Sequence, residues 1–249
     1  SPVIMEPIFA IDTHVRALST ASLGAMADIM RATHLDEAIF ASLCRENDMY
    51  HVLQRCAILV SRMALTMPPP MFHDMVRATA SWPDLCRRLI STSATLSHAR
   101  SRKLVALGLA HMLRHASAQD KGLLSAVPDM IGMWTEVVGE VVEDEAGSAD
   151  RYEREVSPTR ALEIGEDEIP FLDEFGLIEA APTPSSARTD AVRSRDPSFN
   201  VPLRAYVADT LNAVLQNGSY KTQLQSLLAT IDPLVLDTLQ RGLSERPVA

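Results

Sequence analysis

Residues 99–115 read ARSRKLVALGLAHMLRH. The stretch opens on Arg100, Arg102 and Lys103 and then runs without a polar side chain until His111. On a helical wheel, Leu104, Val105, Leu107, Leu109, Met112 and Leu113 spread over most of the circumference instead of forming one stripe. A helix that is apolar on several sides belongs in an interior, covered by other elements. Its basic opening opposes the helix dipole, which favours anions at the N-terminus. Those three cations therefore call for a counterpart beyond local propensity, either acidic residues nearby or a partner.

Outward from this segment, the apolar residues from about 12 to 142 recur at helical spacing, with no period-2 alternation and no hairpin signal. The pattern predicts seven helices, over 12–32, 35–45, 48–66, 70–80, 83–95, 99–115 and 121–142. Punctuation supports the boundaries. Asn47-Asp48 precedes the third segment, Pro68-Pro69-Pro70 closes it, Ser81 and Pro83 open the fifth, and Pro128 kinks or restarts the last. Helices joined by short connections form either a bundle or an α-solenoid, and periodicity alone does not separate the two. In a solenoid of helix pairs repeating every 40 to 47 residues or so, the inner helix of each pair lies between neighbours. The 99–115 segment fits that inner place.

The chain has 249 residues, 47% hydrophobic and 22% charged, enough for a sizeable core. The start, SPVIMEPIFA, has the features of neither a signal nor a transit peptide and reads as a cut end. The longest near-apolar run, about 104–113, is well short of the roughly 20 residues that span a bilayer, so no membrane insertion is expected. Cys44, Cys56 and Cys86 match no zinc or redox spacing and sit in apolar periodic segments, which predicts reduced, buried thiols in an intracellular protein. A formal charge of -9 argues against direct nucleic-acid binding, which needs a basic face.

That charge is concentrated. Between Glu143 and Glu179 there are thirteen acidic residues against three basic ones, leaving the rest of the chain nearly neutral. Residues 143–198, which also contain APTPSSARTDAVRSRDPS, have little to bury and read as a mobile acidic loop between a helical region at 1–142 and closing helices at 199–249. Within the loop Phe171, Leu172, Phe175 and Ile178 have the spacing of a short helical turn able to dock. Beyond it, Leu203, Val207, Leu211, Val214 and Leu215 share one helical face that Asn217-Gly218 terminates. Asp232-Pro233 then supplies an N-cap and first turn for the last helix.

Little in the sequence points to chemistry. His111 and His115 stand at i, i+4, but no zincin glutamate follows and no third ligand is evident, so metal, cofactor and catalytic sites are not expected. The other histidines, His73 among them, are scattered singly and read as surface or helix-end residues. Most of the eleven methionines share faces with Leu and Val, and with Trp82 and Trp134 they read as core. Ser157-Pro158 and Thr183-Pro184 have the form of proline-directed phosphorylation sites. The acidic segment carries the functional interest, since its carboxylates make a potential that attracts basic ligands.

Two stretches resemble one known family. SRKLVALGLAHML, with the helix ending EVVGEVVEDE, is similar to the penultimate HEAT region of karyopherin-β nuclear transport receptors. The C-terminal DPSFNVPLRAYVADTLNAVL and LQSLLATIDPLVLDTLQRGL resemble the tail that closes the importin-eleven branch. The resemblance there rests on Asp196, Pro197, Leu203 and Tyr206, then on Leu227, Ile231, Asp232, Leu239 and Gln240. The 143–195 segment departs from the family pattern in length and acidity, so no role for it is carried over.

The resemblance implies an all-α HEAT-repeat α-solenoid of antiparallel helix pairs, the C-terminal portion of a receptor without enzymatic activity. Such receptors bind protein cargo and the GTPase Ran, engage nucleoporins, and shuttle between cytoplasm and nucleus through the pores of the nuclear envelope. Their main Ran surface lies in N-terminal repeats that this chain does not contain. The residues expected to meet protein surfaces are Glu163, Glu166, Asp167, Glu168, Asp173 and Glu174 in the acidic segment, and Arg100, Arg102 and Lys103 on the helix. The rival reading is a HEAT scaffold of a stable complex unrelated to transport.

Overall fold

The computed structural model describes residues 8, 10–12, 15, 20–44, 49–117, 119–120, 122–147, 196–217 and 220–244. Among them the regular structure is helical, with no strand. We number the helices α1 (Thr20–Ala32), α2 (Leu35–Cys44), α3 (Tyr50–Thr66), α4 (Pro69–Thr79), α5 (Trp82–Ser93), α6 (Ala99–Arg114), α7 (Val127–Gly147), α8 (Pro197–Asn200), α9 (Leu203–Gln216), α10 (Lys221–Leu228) and α11 (Pro233–Ser244). A 3₁₀ turn, Leu124–Ala126, leads into α7, so Pro128 stands in the first turn of a restarted helix.

The boundaries follow the punctuation in the sequence, for local reasons. Ser81 Oγ accepts the Asp84 N–H at 3.3 Å at the start of α5, and Asp232 Oδ1 accepts the Leu234 N–H at 2.8 Å at the start of α11. Pro69 opens α4, where a missing N–H costs nothing. Asn47-Asp48 and Gly218 lie outside the described residues. One boundary differs from the sequence reading. Helix α7 continues through Glu143, Asp144 and Glu145 to Gly147, beyond the point where charge suggests a loop.

The packing order gives two rows. Helices α3, α6 and α9 form one row, α6 packing against both of the others; α2, α5, α7 and α11 form the second, each against the next. Successive members alternate between rows, because α5 packs on α3 and α6 while α7 packs on α6 and α9. This is an all-α solenoid, with one continuous core running its length. Helix α6 is its middle rod. Val105, Ala106, Leu107, Leu109, Ala110 and Met112 are all wholly inaccessible, covered by α3, α5, α7, α8 and α9.

Two contacts show how closely that rod is held. Trp134 of α7 is fully buried and its Nε1–H donates to the Ala106 carbonyl at 3.1 Å. At Gly108 a Cβ would sit 2.9 Å from Ser61 Cα and Cβ, so the absence of a side chain lets α6 and α3 touch backbone to backbone. The methionines Met63, Met67, Met75, Met130 and Met133 and both tryptophans are buried core residues. Cys56 and Cys86 are buried free thiols, while Cys44 is half-buried.

A paired glycine experiment checks this crossing. Gly139 of α7 has nothing within 4 Å of the position that an added methyl would take, so Gly139→Ala is expected to stabilise by up to about 1 kcal/mol through helix propensity. Gly108→Ala gains the same propensity but forces overpacking against Ser61, and is expected to destabilise by about 1–2 kcal/mol net. Urea denaturation followed by circular dichroism measures both; a Gly108→Ala protein as stable as Gly139→Ala contradicts the crossing.

Candidate interaction surface

Three polar clusters pin elements of the solenoid to one another, and each joins residues far apart in sequence. The first is centred on Arg62, whose side chain is only 4% exposed on α3. Its Nε–H donates to Asp12 Oδ1 at 2.8 Å and its Nη1–H to Asp196 Oδ2. Burial opposes the guanidinium charge, but Asp12 and Asp196 outweigh it and hold the arginine firmly protonated. Asp196 Oδ1 also accepts the Ser198 N–H at 2.9 Å and the Ser198 hydroxyl at 2.8 Å. One carboxylate thus caps α8 and pins it to α3.

The second cluster surrounds Asp120, buried in the connection between α6 and α7. Oδ1 accepts Arg77 Nη1–H at 3.0 Å and Trp82 Nε1–H at 3.2 Å. Oδ2 accepts the Ser117 N–H and hydroxyl, each at 2.8 Å, and lies 2.9 Å from His73 Nδ1. Burial pushes the Asp120 carboxyl up, but the bonds from His73 and Ser117 prevail and hold it below the ordinary range. His73 is therefore an interior residue, not the surface or helix-end histidine that its isolation in sequence suggests. Its pairing with an aspartate has no nucleophile on it among the described residues, since Nδ1 faces Asp120 and Nε2 is buried without a hydrogen-bond partner there. The arrangement anchors a loop; it does not form a catalytic triad.

The third joins α6 to α9. His111 Nδ1 and the Tyr206 hydroxyl share a hydrogen bond with their rings stacked, and the Arg114 guanidinium lies 5.5 Å from the Tyr206 ring centroid. Burial first, then His115, His73 and Arg114, push the His111 imidazole down to about 4, so it is neutral at pH 7. The His111 and His115 rings do meet, with centroids 4.4 Å apart and planes tilted by 47°. Among the described residues no cluster of ligating side chains is arranged to hold a metal ion.

The predicted interaction residues divide between described and undescribed parts of the chain. Arg102 of α6 reaches Glu136 of α7 at 3.2 Å and also Glu140, a pair of carboxylates one helical turn apart. The counter-charge that its place at a helix start demands comes from the neighbouring helix. The Arg100 guanidinium lies 4.0 Å over the Phe199 ring of α8, and Lys103 is buried in the α6 packing. Glu163, Glu166, Asp167, Glu168, Asp173 and Glu174 lie outside the described residues, as do Ser157, Thr183 and the Phe171, Leu172, Phe175, Ile178 turn. The chain leaves α7 at Gly147 and is described again from Asp196, the residue bound to Arg62. No helix among the described residues is long and apolar enough to cross a membrane.

The Arg62, Asp120 and Tyr206 clusters escape a sequence reading because their partners are 38 to 134 residues apart. The one available signal was indirect: Asp196 and Tyr206, which help carry the resemblance at the C-terminal end, are also the residues that fasten α8 and α9 to the central row.

The fastening predicts a specific cost. Arg62→Met leaves Asp12 and Asp196 beside an apolar side chain in a buried site, and is expected to destabilise by about 3–5 kcal/mol. Arg62→Lys keeps the charge without the fork that reaches both acids, and loses less. Equilibrium unfolding in urea ranks the three proteins; wild-type stability in Arg62→Met contradicts the cluster's structural role.

A family model described as "Importin-11-like, TPR repeats" matches residues 8–244. Comparison with curated proteins and with solved structures gives no match. The description uses the term TPR where the sequence resemblance suggests HEAT, and both terms denote stacks of helix pairs. In the structure α6 begins 49 residues after its row neighbour α3, nearer the HEAT period of about 40–47 than the TPR period of about 34.

Proposed function

Because the chain belongs to the importin-11-like family of helical-repeat proteins, we propose that it is part of a nuclear import receptor that binds protein cargo and carries it through nuclear pores under the control of Ran. The observation that carries this reading is the family match across residues 8–244, supported by the two-row solenoid that the same residues form. In this reading the protein performs no catalytic step. It engages nucleoporins, shuttles between cytoplasm and nucleus, and meets Ran mainly through repeats outside this chain.

The acidic segment supplies the cargo chemistry. Glu163, Glu166, Asp167, Glu168, Asp173 and Glu174 present a negative potential to basic surfaces of cargo. Arg102 has its own carboxylates on α7, which favours a basic partner outside the solenoid over the Arg100, Arg102 and Lys103 face as the segment's target. The segment joins the solenoid at Gly147 on one side and at the Arg62-bound Asp196 on the other.

The test uses the intact gene product that carries this chain. Cargo recovered on it from cell extract is expected to be released by GTP-loaded Ran, and Glu166→Lys, Asp167→Lys and Glu168→Lys together are expected to weaken capture of basic cargo by about tenfold. Partners retained regardless of Ran contradict the transport reading and favour a scaffold of a stable complex. Cargo that Ran releases but charge reversal leaves untouched overturns the role of the acidic segment alone.

A further inference from the structure

The connection between α6 and α7 carries a hydroxyl that the cargo reading does not use. Ser117 stands outside the helices and is exposed, and its Oγ–H donates to Asp120 Oδ2 at 2.8 Å. Through that bond a surface side chain touches the buried hub that also holds His73 and Arg77 of α4 and Trp82 of α5. Gly122 presses the same connection onto α5: its φ is +90°, and a Cβ there would lie 2.8 Å from Pro83 Cγ. Asp120 is therefore the point at which α4 and α5 grip the turn into α7.

The residues before Ser117 supply recognition. Arg114 stands three positions ahead of it and His115 two, and both are exposed, so an R-x-x-S pattern faces solvent at the end of α6. A cation at that distance suits a kinase whose substrate groove is acidic. The same spacing recurs among the described serines at Ser91, Ser198 and Ser244, but each of those lies within a helix. An acidic residue also follows Ser117 by three positions, yet Asp120 is only 5% exposed and already accepts several donors, so it cannot serve an acid-directed kinase.

We propose that Ser117 is a phosphorylation site for an arginine-directed protein kinase, and that its modification unfastens the α6–α7 connection from α4 and α5. ATP supplies the phosphoryl group. The Ser117 Oγ–P bond forms as the bond from the γ-phosphorus to ADP breaks, and the hydroxyl proton passes to the catalytic carboxylate of the kinase. The donor to Asp120 is then gone, and close to two negative charges stand beside a carboxylate that was 2.8 Å from the hydroxyl. Asp120 is buried among its other donors and cannot retreat, so the phosphoseryl group turns to solvent. Arg77 Nη1 lies 3.5 Å from Ser117 Oγ and 3.0 Å from Asp120 Oδ1, and the larger charge draws it away from Asp120. The hub loses two donors in one event. Because repeats of a solenoid contact only their neighbours, the result is a local change of stiffness between α4–α5 and α6–α7, whatever the cargo is.

The test incubates the folded chain with ATP and the catalytic domain of a calmodulin-dependent protein kinase, and maps modified residues by mass spectrometry. Ser117 is expected to be modified while the buried Ser198 is not, and Arg114→Gln is expected to slow modification of Ser117 about tenfold. The phosphoprotein is expected to melt about 4–10 °C lower than the unmodified chain. Amide exchange between Ser117 and Leu124 is expected to quicken about tenfold or more. Ser117→Ala, which loses the hydroxyl bond but adds no charge, is expected to shift melting by less. Ser117 left unmodified on the folded chain, modified no faster than Ser198, or modified with melting and exchange unchanged overturns the proposal. So does a melting shift in Ser117→Ala equal to that of the phosphoprotein, since the added charge would then do nothing.

Discussion

The structure depends on the burial of α6 on every side. A rod with leucine, valine or methionine around most of its circumference has no solvent face, so it cannot serve as one wall of a simple two-helix contact. It needs a neighbour before it, a neighbour after it and partners from a second row. Helices α3, α9, α5 and α7 fill those places, with α8 closing a remaining side. The two-row solenoid is the arrangement that gives one helix this many neighbours while keeping successive connections short. Gly108 brings the α3 backbone into direct contact, and Trp134 closes the α7 side with a hydrogen bond into the rod's own backbone.

Apolar burial sets which helices touch, and the polar clusters set how the chain is threaded between them. Arg62 receives one carboxylate from the beginning of the described chain and one from the return at Asp196. Asp120 gathers α4, α5 and the α6–α7 connection around a single side chain. Removing one partner of such a buried network leaves the others without compensation, which makes these sites strong constraints on geometry even where their net contribution to stability is small. Their placement also bears on the proposed function. The described chain leaves α7 at Gly147 and resumes at Asp196, whose carboxylate binds Arg62 of the central row.

Much of the fold was legible in the sequence because the signals are local. The all-round apolarity of Leu104 to Leu113 announced the inner rod, Ser81 and Asp232 announced helix starts, and Pro128 announced the restart of α7. The basic opening of α6 announced a need for counter-charge, and Glu136 and Glu140 meet it for Arg102. What stayed hidden was non-local. Nothing near Arg62 in sequence indicates Asp12 or Asp196, and nothing near His73 indicates Asp120. An isolated histidine looks like a surface residue until the packing of α4 against its neighbours encloses it. The extension of α7 through Glu143 to Glu145 was obscured for another reason: charge density resembles a loop signal, yet an acidic stretch also continues a helix when its preceding turns are anchored.

Amide hydrogen exchange along the chain tests the central claim most directly. If α6 is the enclosed rod of the stack, the amides of residues 104–113 exchange only through global unfolding and are the slowest in the protein, while those of α10 at the end of the stack exchange orders of magnitude faster. Exchange in 104–113 as fast as in α10 would mean that the rod opens by itself to water, and would contradict the account.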